Sequence, residues 1–163
     1  MNLPVGDIIK QGIKLKEFDS RIIESFYDKE FSGYLVASIE GYAGIEEGAL
    51  LFKKGLLIGA FYEYLNYGIT VHGNQAVQQV FNSLAAEYGV IDVISLTNQQ
   101  ADLITAFNDK IKLTVNVGKK DVRKLSRSFY SNEFAEKVLS KVLEKHESRK
   151  NVFKKLGLTD LGG

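Results

Sequence analysis

The chain has 163 residues, 45% apolar and 25% charged, the proportions of one soluble globular domain and not of a disordered or fibrous chain. Its net charge of +1 supplies no global field towards nucleic acid or membrane, so any such affinity must come from a local patch. There is no cysteine, which excludes disulfides, thiol catalysis, iron–sulfur ligation and thiolate zinc. The two histidines, His72 and His146, lie outside any ligand-spaced cluster, so neither a metal nor a cofactor is expected.

The opening MNLPVGDIIKQG has no charged region followed by a long apolar run and reads as no signal peptide. The apolar runs elsewhere fall far short of the ~20 residues that span a bilayer, so the expected compartment is the cytoplasm. Ile13, Leu15 and Phe18 alternate with Lys14 and Lys16, the period of a half-buried strand. Asp19 is placed to cap a helix whose apolar stripe is Ile22, Ile23, Phe26 and Tyr27.

Residues 31–60, FSGYLVASIEGYAGIEEGALLFKKGLLIGA, read as three consecutive strands, Tyr34–Glu40, Gly48–Phe52 and Leu56–Phe61. Gly41 to Gly44 make a turn with Glu46-Glu47 as its solvated end, and Lys53-Lys54-Gly55 make a tight hairpin. Gly59 and Ala60 are too small to fill a core, so another backbone or a helix should approach them closely. Phe61 to Gly68 extend that strand or form a loop, and Ile69, Val71 and His72 form a short extended piece.

Asn74 is expected to cap a helix carrying Ala76, Val77, Val80, Phe81 and Leu84 and stopped by Gly89. Val90–Leu96 alternates as a strand. Thr97 with Gln100 is a capping box for a helix that turns Ala101, Ile104 and Phe107 inward. Lys110–Val117, with Ile111, Leu113, Val115 and Val117 on one side, is a strand or an extended segment lying against the sheet. After Gly118, one helix stripe is Val122, Leu125 and Phe129; a second, beyond Ser131-Asn132, is Phe134, Val138, Leu139, Val142 and Leu143. A bend or fraying is expected between Lys145 and Lys155, Gly157 should terminate the last half-helix, and LTDLGG should be a mobile end.

Phe31, Gly33 and Leu35, then Gly48, Leu50 and Phe52, then Gly55, Leu56 and Ala60 make a pattern that resembles the opening of the PATAN-type domains of prokaryotic signalling proteins. With its Leu3-Pro4-x-Gly6 start and Phe18-Asp19 before the first helix, the chain is similar to an uncharacterised archaeal family of the same kind. The likeness covers roughly residues 1–115. It implies an adaptor or regulatory role through protein contacts and carries over no catalytic residue.

Three surfaces stand out as candidate sites. Lys119, Arg123 and Arg127 recur at helical spacing with Lys120 and Lys124 on the next row, a cationic stripe fit for an anion or, equally, a solvated face. No Walker A pattern accompanies it. Tyr62, Tyr64 and Tyr67 form an aromatic run, a platform for a partner or ordinary packing at a sheet edge. Phe134, Val138 and Val142 would meet a partner helix, a second copy, or their own sheet, and the basic segment from Lys137 to Lys155 is a weaker match to an anionic membrane surface. Glu40, Glu46 and Glu47 read as solvated and not as an acid–base pair, and His72 reads as an edge residue.

The expectation is an α+β domain over 1–130: an antiparallel or mixed sheet of about five strands covered by helices, then a helical extension over 131–163. Its expected function is a non-catalytic regulatory or adaptor domain with a protein partner, a homodimer through the C-terminal helices being one form. Binding of a phosphate-bearing ligand or nucleic acid at Lys119–Arg127 is the alternative, nucleic acid being the less favoured ligand, and an enzyme of unknown type comes last.

Overall fold

In a computed structural model of the chain, residues 1–157 are described, the side chains of residues 143, 146 and 147 excepted. The expectations for Leu143, for His146 and for the end from residue 158 lie outside the described residues. The chain divides into two compact units, one from Met1 to Tyr130 and one beginning at Ser131.

The first unit runs β1 (Asp7–Lys14), α1 (Arg21–Asp28), β2 (Gly33–Gly41), β3 (Gly44–Lys53), β4 (Leu56–Tyr64), β5 (Ile69–His72), α2 (Asn74–Ser83), β6 (Gly89–Ser95), α3 (Asn98–Phe107) and α4 (Lys119–Leu125). Among the described residues the strands make one antiparallel sheet of six in the order β1-β6-β2-β3-β4-β5. The fold is α+β.

Two tight turns build the central meander. Gly41 pairs with Gly44 across Tyr42-Ala43, and Lys53 pairs with Leu56 across Lys54-Gly55. Lys54 and Gly55 both take positive φ, 48° and 75°, as a two-residue hairpin requires.

Alternation along the strands divides the core between two faces. On one, Tyr34, Ala49, Leu51 and Phe61 form a buried cluster with Leu96, Ala101, Ile104 and Ile111. On the other, Leu35, Ala37, Ile39, Leu50, Phe52, Ala60, Ile91 and Val93 are buried. There α1 sets Phe26 edge-on to Phe52 with ring centres 5.2 Å apart, and α2 lies over β3 and β4. Each such large apolar side chain contributes about 1.5–3 kcal/mol on leaving water.

Several local readings hold. Thr97 and Gln100 form the capping box in both directions. The Asp19 carboxylate accepts from the Arg21 backbone N–H at 2.9 Å. A Cβ on Gly59 would stand 3.1 Å from the Ile111 carbonyl, because the chain after α3 bridges to β4 at that glycine.

Others need correction. Asn74 does not cap its own helix: its amide oxygen accepts from the N–H groups of Thr114 and Val115, while its Nδ2 donates to the Val115 carbonyl. That clamp fastens the segment 110–117, which after a 3-10 turn is the expected extended chain lying against the sheet, with one bridge to Gly59, and not the strand that was its alternative. Helix α2 ends at Ser83, and Gly89 opens β6. Phe107 and Phe129 point outward, 82% and 84% exposed, since each sits at or past the end of its helix, where the periodicity no longer governs direction.

Strand β1 closes one edge of the sheet. Its register with β6 shifts between Ile8 and Lys10 and again between Lys10 and Ile13. Bulges of this kind spoil the edge as a template for a further strand.

In the second unit, α5 runs unbroken from Glu133 to Lys155, where a bend or fraying was expected. Lys, Arg and Glu are good helix formers even without an apolar stripe. Glu133 and Glu136 in the first turn, with Lys154 and Lys155 in the last, also match the helix dipole. Gly157 follows at φ 72°. Among the described residues no helix is long and apolar enough to cross a membrane.

Candidate functional site

Three places in the first unit concentrate chemistry. The first is interior. Glu46 is not the solvated end of a turn: β3 begins at Gly44, so period two puts Glu46 on the same face as Gly48, Leu50 and Phe52. It is 1% exposed. Glu46 pairs across the ladder with Tyr64, and Gly48 with Tyr62, so both tyrosines share its face.

The Tyr62 hydroxyl donates to Glu46 Oε2 at 2.5 Å, and the Tyr130 hydroxyl lies 3.2 Å from both carboxylate oxygens. Tyr130 also accepts from the Tyr42 N–H at 3.0 Å. Tyr64 donates to Gln79 Oε1 of α2 at 2.6 Å, and the rings of Tyr62 and Tyr64 meet edge to face. A Cβ on Gly41 would come within 2.3 Å of the Glu46 carboxylate, so glycine is what leaves room for it.

Burial, and next the Glu46 charge, raise the phenols of Tyr62 and Tyr64 well above their ordinary range. Burial pushes Tyr130 up to about 12, with Glu46 adding to the shift. The aromatic run is therefore no open platform. Tyr62 and Tyr64 are core residues, and Tyr67 is half-buried in the 3-10 turn that follows β4.

The second place is a surface groove of about 550 Å³ where β1 and β2 end and β3 and β6 begin. Leu15 and Ile39 form its buried floor, while Ile45, Tyr88 and Val90 line it with 49%, 58% and 41% of their surface still in water. Lys14, Lys16, Glu40 and Glu87 supply charges of both signs around it. Lys16 Nζ sits 5.8 Å from the Tyr88 ring centre, a cation–π contact. The Glu40 N–H donates to the Tyr88 carbonyl, which holds the 85–89 connection against β2. No motif marks this groove, because it is assembled from four separate segments; Glu40 alone was singled out from sequence, and as a solvated residue.

The third is the cationic stripe. Lys119, Lys120, Arg123 and Lys124 line a concavity of about 450 Å³ together with Glu24. Two of the cations are matched by α1: Lys119 Nζ lies 2.8 Å from Asp28 Oδ2, and Arg123 Nε lies 2.8 Å from Glu24 Oε1. Among the described residues no carboxylate pairs with Lys120 or Lys124. Arg127 lies past the end of α4. The Gly118 N–H, just before α4, is taken by the Asp121 carboxylate at 2.8 Å.

In the second unit Phe134, Val138 and Val142 are half-buried, and Ala135 and Leu139 are buried. No group of three or more His, Asp or Glu able to hold a metal occurs among the described residues. Burial, then the Lys110 charge, lower the His72 pKa, so its imidazole is biased to the neutral form.

Residues 1–108 match the model of a family described as "Uncharacterized protein conserved in archaea (DUF2226)". Among curated proteins and among solved structures there is no match. The family match spans more than half of the 163 residues, and the chain belongs to that family.

Proposed function

We propose that this member of an archaeal family is a non-catalytic regulatory or adaptor domain that works through protein contacts, as its likeness to PATAN-type signalling domains implies. The observation that supports it best is the groove at Leu15, Ile39, Ile45, Tyr88 and Val90. Its volume is in the range of specific binding sites, its lining is mostly apolar, and both charge signs flank it. That combination suits a protein segment with an apolar anchor set among charged residues.

Ile45 and Val90 are exposed enough to carry a charge without unfolding the sheet, so Ile45→Glu with Val90→Glu tests the reading. Crosslinked capture from native extract should retain a defined partner on the parent chain and lose most of it, tenfold or more, on the double variant. Equal retention by both would overturn the reading. A one-chain mass in light scattering would remove the form in which that partner is a second copy bound through Phe134, Val138 and Val142.

A second reading, binding of a phosphate-bearing ligand at Lys119–Arg127, is favoured by the concavity that Lys120 and Lys124 share with Lys119 and Arg123. Inorganic pyrophosphate and a single-stranded oligonucleotide serve as probes. Lys120→Glu with Lys124→Glu should reduce binding at least tenfold and flatten its salt dependence, by about one contact's slope per lysine. Binding that survives the double charge reversal excludes the site.

A further inference from the structure

Among the described residues Glu46 is a charge that is buried and yet forms no ion pair with any cation. Its oxygens are met by the hydroxyls of Tyr62 and Tyr130 alone among the hydrogen bonds described. Removing a carboxylate from water without a counter-charge is costly, and phenol donors offset only part of that cost. Tyr62 is fixed in the middle of β4. Tyr130 is not in a regular element. It ends a stretch that leaves α4 at Leu125 and in which Ser126, Arg127, Ser128 and Phe129 are all exposed. Its one hydroxyl joins three things: this stretch, the buried carboxylate and, through the Tyr42 N–H, the β2–β3 turn.

We infer that Tyr130 is a releasable clasp. Residues 126–130 close over Glu46 through that hydroxyl and open locally while the sheet stays folded, and rehydration of the carboxylate favours the open form. Local opening of this kind is drawn from segments with few buried side chains, and the residues 126–129 are all exposed. The charge and the phenol then act in opposite directions: the phenol holds the stretch shut, and the buried charge pushes it open. A hydrogen bond that is only structural has no such opposition of signs.

Hydrogen exchange by mass spectrometry on the full chain reads both. Tyr130→Phe should speed exchange about tenfold or more at Tyr42 and across 126–130, with peptides from β3 and β4 unchanged. Glu46→Gln keeps an acceptor for both phenols but removes the charge, and should slow exchange in the same two places severalfold. The proposal is overturned if Glu46→Gln speeds exchange there as Tyr130→Phe does, if it changes nothing, or if Tyr130→Phe speeds exchange equally through β3 and β4. Should Tyr130→Phe not fold, the direction of the Glu46→Gln effect decides alone.

Discussion

Tyr62→Phe is expected to destabilise the sheet unit by about 2 kcal/mol, read as a lower urea midpoint with an unchanged slope. Hydrogen bonds to charged groups contribute about 1.5–3 kcal/mol, and here the partner left behind is a carboxylate that water cannot reach. The removed atom is one oxygen, so no large cavity adds to the effect. The second half of the experiment separates desolvation from packing. Glu46→Leu combined with Tyr62→Phe should return to within about 1 kcal/mol of the parent or exceed it, because an apolar pair replaces a polar one in an apolar face. Tyr130 keeps its Tyr42 N–H in that variant. An unchanged midpoint for Tyr62→Phe alone would show that the carboxylate is already hydrated and that the interior reading of Glu46 is wrong.

Loss of the fold above about pH 10 is the second large effect. Burial raises the phenols of Tyr62 and Tyr64, and pushes those of Tyr27 and Tyr130 up to about 12. A pKa raised in the folded state means that the unfolded chain gives up its protons first, near the ordinary tyrosine value of about 10. The contribution of these neutral phenols is therefore complete below about pH 10 and is lost as pH rises towards about 12 and beyond. The tyrosinate absorbance of the buried phenols and the fall of far-ultraviolet circular dichroism should develop together as one cooperative step, after the exposed tyrosines such as Tyr42 and Tyr88. Ionisation of every tyrosine near pH 10 with the dichroism intact would contradict the burial of Tyr62 and Tyr64.

The parts of this fold that could be read from sequence are those set by a few adjacent residues. The Lys54-Gly55 turn follows from a conformation that glycine adopts freely, and the Thr97–Gln100 box from two side chains one turn apart. The close approach at Gly59 follows from the missing Cβ, although the approaching Ile111 backbone could not be named from it. The six-stranded sheet against about five expected reflects the same limit at β1, since the strand read at Ile13–Phe18 lies at Asp7–Lys14 and its pairing with β6 is long-range.

Glu46 was misread for an identifiable reason. Residue types alone extend the turn to Glu47, whereas the hairpin closes at Gly44; counting by two from Leu50 back through Gly48 puts Glu46 on the apolar face. The same count forward from Ala60 carries Tyr62 and Tyr64 inward. That signal was in the sequence. The neutralising of Lys119 and Arg123 was not, because Glu24 and Asp28 show a four-residue spacing that matches theirs only once α1 and α4 are side by side.

The pairing of β1 has a consequence for the order in which the chain is assembled. β1 leaves the ribosome before the other described strands, yet its strand partner among the described residues, β6, is 86 residues further on at the pairing of Ile8 with Ile94. β6 is also what closes the far side of β2. The β2–β5 meander, by contrast, has neighbours in sequence as neighbours in space and can form as it emerges. During synthesis the outer edge of β2 therefore stands open until residue 95 has emerged, with Leu35 and Ala37 short of their cross-strand partners Val93 and Ile91. Of the described strands, β1 is made before the others and finds its place after them.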